Sequence, residues 1–260
     1  MKRTRSINGI FVLVGFIGLA ASGCTFSTSV GKNSTNAPAD SAANSKPANA
    51  SNTAPAAAPA VAKDIVGSYS ITGKNESGGG EYGGELTVTK RGEVYQFSWL
   101  SGGQSSDGVG VQTDNTVAVA FTEGDNGKGC GVVLYKIATD GSLDGKAGYW
   151  GENKSESEKA TRKTGTELDG TYDITGSNPE GESYKGTLAV KRSGLGYQFD
   201  WDAGSVSSGF GIRMGDKVAV GFGGKNCSFV TYEVRPDGSL DGKWGGKGST
   251  SVGTEVAKKK

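Results

Sequence analysis

Apolar residues recur in twos along most of this chain. Tyr95, Phe97 and Trp99 alternate with Gln96 and Ser98; Leu86 and Val88 alternate with Thr87 and Thr89. Val117, Val119 and Phe121 alternate with Ala118, Ala120 and Thr122. A period of two puts alternate side chains on opposite faces of an extended chain, so each run predicts a half-buried β-strand. Arg91-Gly92, Asp107-Gly108, Asp140-Gly141 and Asp144-Gly145 have turn chemistry and punctuate the runs. No stretch beyond the N-terminal region holds a helical period. Forty-five glycines among 260 residues suit an all-β chain with many tight turns.

The pattern is written twice. Gly67-Ser-Tyr-Ser-Ile-Thr-Gly73 returns as Gly170-Thr-Tyr-Asp-Ile-Thr-Gly176, and Tyr82-x-Gly84-x-Leu86-x-Val88 as Tyr184-x-Gly186-x-Leu188-x-Val190. Tyr95-Gln-Phe97-x-Trp99 matches Tyr197-Gln-Phe199-x-Trp201; Cys130 and Tyr135 match Cys227 and Tyr232. Asp140-Gly-Ser-Leu-Asp-Gly-Lys146 is identical to Asp237-Gly-Ser-Leu-Asp-Gly-Lys243. Each copy holds about seven or eight short strands at roughly 8–12-residue spacing, which predicts an antiparallel barrel or sandwich. The expected fold is all-β, with two tandem antiparallel barrel-like or sandwich repeats, at 64–151 and 168–250. A polar connector at 152–167 and a basic tail at 251–260 complete this division. Duplication also suggests pseudo-twofold packing, as in a homodimer fused into one chain.

The N-terminus reads differently. Lys2, Arg3 and Arg5 precede an apolar run from Ile10 to Ala21, too short for a permanent span of about 20 residues. Residues 1–23 therefore read as a signal peptide. Leu19-Ala20-Ala21-Ser22-Gly23-Cys24 resembles a bacterial lipoprotein lipobox, with Ala21 where that motif usually has Leu. The resemblance implies that Cys24 is lipidated and anchors the protein to a membrane. Thr25, in place of an Asp, then points to the outer membrane or cell surface of a bacterial envelope. The rest of 24–63 is Ala, Ser, Asn, Pro and Thr with almost no large apolar side chain. Such a segment cannot offset its ordering entropy and reads as a disordered tether reaching roughly 35 Å.

Charge and composition narrow the function. A net charge of +1 with interleaved signs lacks the basic stripe that nucleic acid requires. The chain has no histidine, which removes the commonest general base and zinc ligand. Cys130 and Cys227 could form a disulfide if the repeats pack about a pseudo-twofold axis; otherwise each is a small buried thiol in its own repeat. Asp140 with Asp144, and Asp237 with Asp241, could curl around calcium. Two turns flanking a short strand, with Leu143 or Leu240 in the core, suits the spacing better. Tyr95, Phe97 and Trp99, with Tyr197, Phe199 and Trp201, share one face of a strand in each repeat. That face is packed core or the wall of a ligand site. Trp150 and Trp244 close their repeats without aligning. No coherent catalytic motif, metal set or cofactor motif is present, and a non-enzymatic protein is expected.

The repeat motifs together resemble a repeat of bacterial envelope proteins sometimes labelled fibronectin-binding. The resemblance spans both repeats, roughly 64–250, and carries no catalytic residues. It implies paired β-modules that bind a protein partner, as a subunit of an envelope assembly or an adhesin. The opening strand and glycine-rich pattern are also similar to small avidin- or lipocalin-like barrels. That similarity implies the other reading, a binder of small apolar ligands.

Overall fold

A computed structural model describes residues 63–124, 127–224 and 227–260. The signal peptide, Cys24 and the tether up to residue 62 lie outside the described residues. Among these described residues sixteen strands form two closed eight-stranded antiparallel barrels. The strands are β1 (Gly67–Lys74), β2 (Glu81–Arg91), β3 (Val94–Ser101), β4 (Gln104–Thr113), β5 (Thr116–Glu123), β6 (Cys130–Ile137), β7 (Leu143–Tyr149) and β8 (Glu156–Arg162). They continue with β9 (Gly170–Ser177), β10 (Ser183–Ser193), β11 (Gly196–Asp202), β12 (Val206–Met214), β13 (Lys217–Gly223), β14 (Ser228–Val234), β15 (Leu240–Gly245) and β16 (Gly253–Lys259). Among the described residues the only helical piece is a 3-10 turn at Glu76–Gly78.

The barrels do not coincide with the sequence repeats. The first barrel runs β2-β1-β16-β15-β14-β5-β4-β3 and closes back on β2. It takes five strands from the first repeat and three from the second. The second barrel takes β6–β8 from the first repeat and β9–β13 from the second. Two expected boundaries are therefore corrected. The polar connector contains β8, and the basic tail is β16, paired on both sides with β1 and β15. Asp107-Gly108 and Asp144-Gly145 are not turns but lie within β4 and β7.

Period-two alternation builds each interior. In the first barrel Tyr69, Ile71, Leu86, Val88, Phe97, Val117 and Val119 pack inward with Val230, Tyr232 and Leu240 from the exchanged strands. Tyr172, Ile174, Leu188, Val190, Phe199 and Val220 pack with Val133, Tyr135 and Leu143 in the second. Each such side chain contributes about 1.5–3 kcal/mol on burial. The tyrosine of each opening motif also ties down the chain before its strand. The Tyr69 hydroxyl donates to the Ile65 carbonyl at 2.7 Å, and the Tyr172 hydroxyl to the Leu168 carbonyl at 2.8 Å.

Strands β4, β5, β6, β12, β13 and β14 are buried on their outer faces too, because the barrels meet there. Val109 and Val111 of β4, Ala118 and Ala120 of β5, Val132 and Leu134 of β6 and Ala219 of β13 form one cluster between them. Phe210, Ile212 and Phe229 form its counterpart. Small residues let β5 and β13 approach: a Cβ on Gly221 would stand 3.5 Å from that of Ala120. The chain crosses between barrels twice, after β5 and after β13. The Cys130–Cys227 disulfide, with Cα atoms 5.8 Å apart, ties the two crossings together.

Candidate functional site

Each barrel holds one buried glutamate, and the strand register explains how it is reached. Across β2, β1, β16, β15 and β14, the paired positions are Tyr82, Gly73, Glu255, Gly242 and Tyr232. The second barrel repeats this row as Tyr184, Gly176, Glu158, Gly145 and Tyr135 across β10, β9, β8, β7 and β6. Each tyrosine lies over the glycine between it and the carboxylate. A Cβ on Gly73 would meet the Tyr82 ring at 2.2 Å, and one on Gly242 the Tyr232 ring at 2.5 Å. The glycines are thus the slots through which two phenols from opposite directions converge on one acid.

An indole supplies the third donor. Glu255 Oε1 accepts from Trp99 Nε1 at 3.1 Å and from the Tyr232 hydroxyl, and its Oε2 accepts from the Tyr82 hydroxyl at 3.0 Å. Glu158 Oε1 accepts from Trp201 Nε1 at 3.1 Å and from the Tyr135 hydroxyl, and its Oε2 from the Tyr184 hydroxyl at 3.0 Å. A carboxylate offers about four acceptor positions. Oε2 in each barrel therefore keeps one position unused by these donors.

These groups form the floor of a cavity in each barrel. The first, about 290 Å³, is walled by Tyr82, Trp99, Phe121, Tyr232, Trp244 and Glu255, with Asn75, Gln104 and Glu123 around it. The second, about 260 Å³, is walled by Tyr135, Tyr149, Tyr184, Trp201, Phe222, Glu156 and Glu158, with Asn178, Ser205 and Ser207. Among the described residues neither cavity is lined by a lysine or arginine. The Trp244 indole N–H is buried beside the Tyr82 ring and has no hydrogen-bond partner among the described residues.

One cross-strand pair makes the two cavities unlike. Trp244 faces Gly253 in the first barrel; Ala147 faces Glu156 at the corresponding place in the second. Trp244 lies over its glycine, where a Cβ would come within 2.1 Å of the indole. Glu156 replaces that bulk with a half-buried carboxyl.

Burial sets the electrostatics. It raises the Glu255 carboxyl above the ordinary carboxylate range, and the bonds from Tyr232, Trp99 and Tyr82 oppose the shift. Burial, then the nearby acid, pushes the Tyr232 and Tyr135 hydroxyls far up, so both stay protonated donors. Tyr82 and Tyr184 are raised by the same causes. Burial and then the charges of Glu158, Glu180 and Glu152 bring Glu156 up to about 7.

The six aromatic residues singled out from sequence divide by position. Trp99 and Trp201 reach the cavities and hold the glutamates. Phe97 and Phe199 are fully buried beneath them, stacked on Tyr232 and Tyr135 at 6.1 and 6.0 Å. Tyr95 and Tyr197 lie four residues before the tryptophans on their strands, beside Lys90 and Arg192, and line neither main cavity. The aspartate pairs do not converge: Asp140 and Asp237 accept from the Ser142 and Ser239 backbones, while Asp144 sits within β7. Leu143 and Leu240 are buried as the turn–strand reading requires. Among the described residues no three His, Cys, Asp or Glu side chains gather to hold a metal ion. The chain matches no family model, no curated protein and no solved structure.

Proposed function

We propose that this protein is a non-enzymatic binder of small molecules with one site in each barrel, held on a bacterial envelope through lipidated Cys24. The observation that carries the reading is the duplicated floor. The same tyrosine–glutamate–tyrosine row and tryptophan stand beneath an open cavity in both barrels, although the strands that supply them are exchanged. A purely structural core has little use for such a floor, since an apolar side chain fills the position without desolvating a carboxylate. A few placed polar groups in an aromatic cavity are what orient a small ligand, and the volumes fall near the low end of the usual ~300–1,000 Å³.

Protein docking has less support. Among the described residues only Leu100, Tyr149, Leu195 and Val206 are large, apolar and exposed. Tyr149 already belongs to the second cavity. A stable protein interface needs about 800 Å² per partner, with an apolar centre.

The test is native mass spectrometry of the full chain extracted from its own membranes in mild detergent. A discrete small-molecule mass on the lipidated protein is expected, reduced by Glu158→Gln or Glu255→Gln. A co-released protein instead, or a bare chain that both substitutions leave unchanged, would refute the reading.

A further inference from the structure

We infer that the second barrel's cavity is a site for a small primary ammonium ion, an assignment that rests on the ligand-binding reading above. Glu156 and Glu158 lie two residues apart on β8 and line the same cavity. Glu158 is fixed by its three donors. The Glu156 carboxylate makes no hydrogen bond or ion pair to any described residue, and no basic side chain among them lines the cavity to neutralise the pair. A half-buried carboxylate beside a second acid gains from a cation, and among the described residues that cation must come from outside the chain.

The walls suit an organic cation. Tyr149, Tyr184, Trp201 and Phe222 surround the acids, with Phe222 5.1 Å from Tyr149 and 5.6 Å from Trp201 between ring centres. Aromatic faces attract ammonium groups, and more strongly where water is excluded. Free acceptor positions on Glu156 and on Glu158 Oε2 match the N–H donors of a primary ammonium. Calcium would need six to eight oxygens, whereas Glu158 already accepts three hydrogen bonds. The first barrel lacks this pair, since Gly253 and Trp244 occupy the matching positions and its second acid, Glu123, is exposed.

Acid should weaken the site. The groups acting on Glu156 are Glu158, Glu180 and Glu152; the phenols of Tyr149 and Tyr184 also feel its charge. None of these is cationic, so protonating Glu156 removes attraction without releasing a competing positive charge.

The experiment is isothermal titration calorimetry of the full chain at pH 8 with methylamine, butylamine and benzylamine, each beside its alcohol. At least one amine is expected to bind once per chain, at least tenfold tighter than its alcohol and several-fold weaker at pH 5.5. Glu156→Gln should abolish the preference while near-ultraviolet circular dichroism stays unchanged. Glu123→Gln in the first barrel should leave it intact. The inference is overturned if no amine binds, if calcium chloride binds through Glu156 in their place, or if the alcohols bind equally well. That last result would leave the small-molecule reading standing. A bare chain in the mass-spectrometric test would remove that reading itself.

Discussion

Gly145→Ala tests whether the glycine slots set the geometry of the floor. The added methyl would stand 2.5 Å from Tyr135 Cε1 and 2.6 Å from its Cδ1. Gly145 has no positive φ, so alanine's backbone preference costs nothing here. The Tyr135 ring is fully buried and cannot swing outward. Overpacking a core costs about 1–3 kcal/mol. Displacing the Tyr135 hydroxyl from Glu158 forfeits a charge-assisted bond of about 1.5–3 kcal/mol. We expect a combined loss of roughly 3–5 kcal/mol, a large share of the ~5–15 kcal/mol that holds an ordinary fold. Urea denaturation of the full chain, followed by tryptophan fluorescence, measures it. Gly80→Ala is the control, with nothing within 4 Å of its Cβ and no positive φ; it should change stability by less than about 1 kcal/mol. In a Tyr135→Ala background the methyl has room, and Gly145→Ala should then cost under about 1 kcal/mol. A loss below 1 kcal/mol for Gly145→Ala in the unaltered chain would refute the slot argument.

Three other outcomes follow from the same geometry. Tyr82→Phe removes the donor to Glu255 Oε2, so the Glu255 carboxyl should rise further and the midpoint of urea unfolding should fall more at pH 7 than at pH 5. Glu156 has the opposite sign from a salt-bridged acid: the folded state holds its proton more tightly than the unfolded chain. Its penalty is therefore present above pH about 7 and is lost as pH falls toward the ordinary 4.5; thermal melts across this window should show stability rising with acid, and Glu156→Gln should flatten that slope. Replacing Cys130 and Cys227 with serine opens a link between residues 97 apart; stability should drop by about 2–5 kcal/mol, with amine binding in the second barrel retained.

Much of this architecture is legible in the sequence because it rests on local alternation. Tyr95, Phe97 and Trp99, or Val117, Val119 and Phe121, can bury one face only as strands. The exchange between barrels is not legible. The strand beside β5 could be β6 or β14; Cys130 opens the one, Cys227 immediately precedes the other, and both carry the equivalent Tyr, so the residues fit either partner. The outward packing between the barrels distinguishes them, and the residues of β5 and β13 that make it, Ala118, Ala120 and Ala219, are small and carry little pattern. The glutamates escaped notice for a related reason. Glu158 sits in a charged stretch and Glu255 beside a lysine run, and both stretches read as solvated. Their signal is the repeat itself: Glu158-x-Ala160 and Glu255-x-Ala257 keep the spacing that relates Cys130 to Cys227. Asp144-Gly145 reads as a turn because the dipeptide favours one; in β7 its glycine instead makes space for Tyr135.

The exchanged strands also dictate an order of assembly during synthesis. The second barrel is a continuous stretch, β6 to β13, and can close as soon as that stretch has emerged. The first cannot. β1 to β5 must wait, with β1 and β5 as open edges, until β14 to β16 arrive and Tyr69 pairs with Lys259. Closing so distant a pair is slow, and unpaired edges invite wrong partners. The finished second barrel sits between the two halves of the first and brings them side by side. It works as a template that shortens the search its neighbour would otherwise face alone.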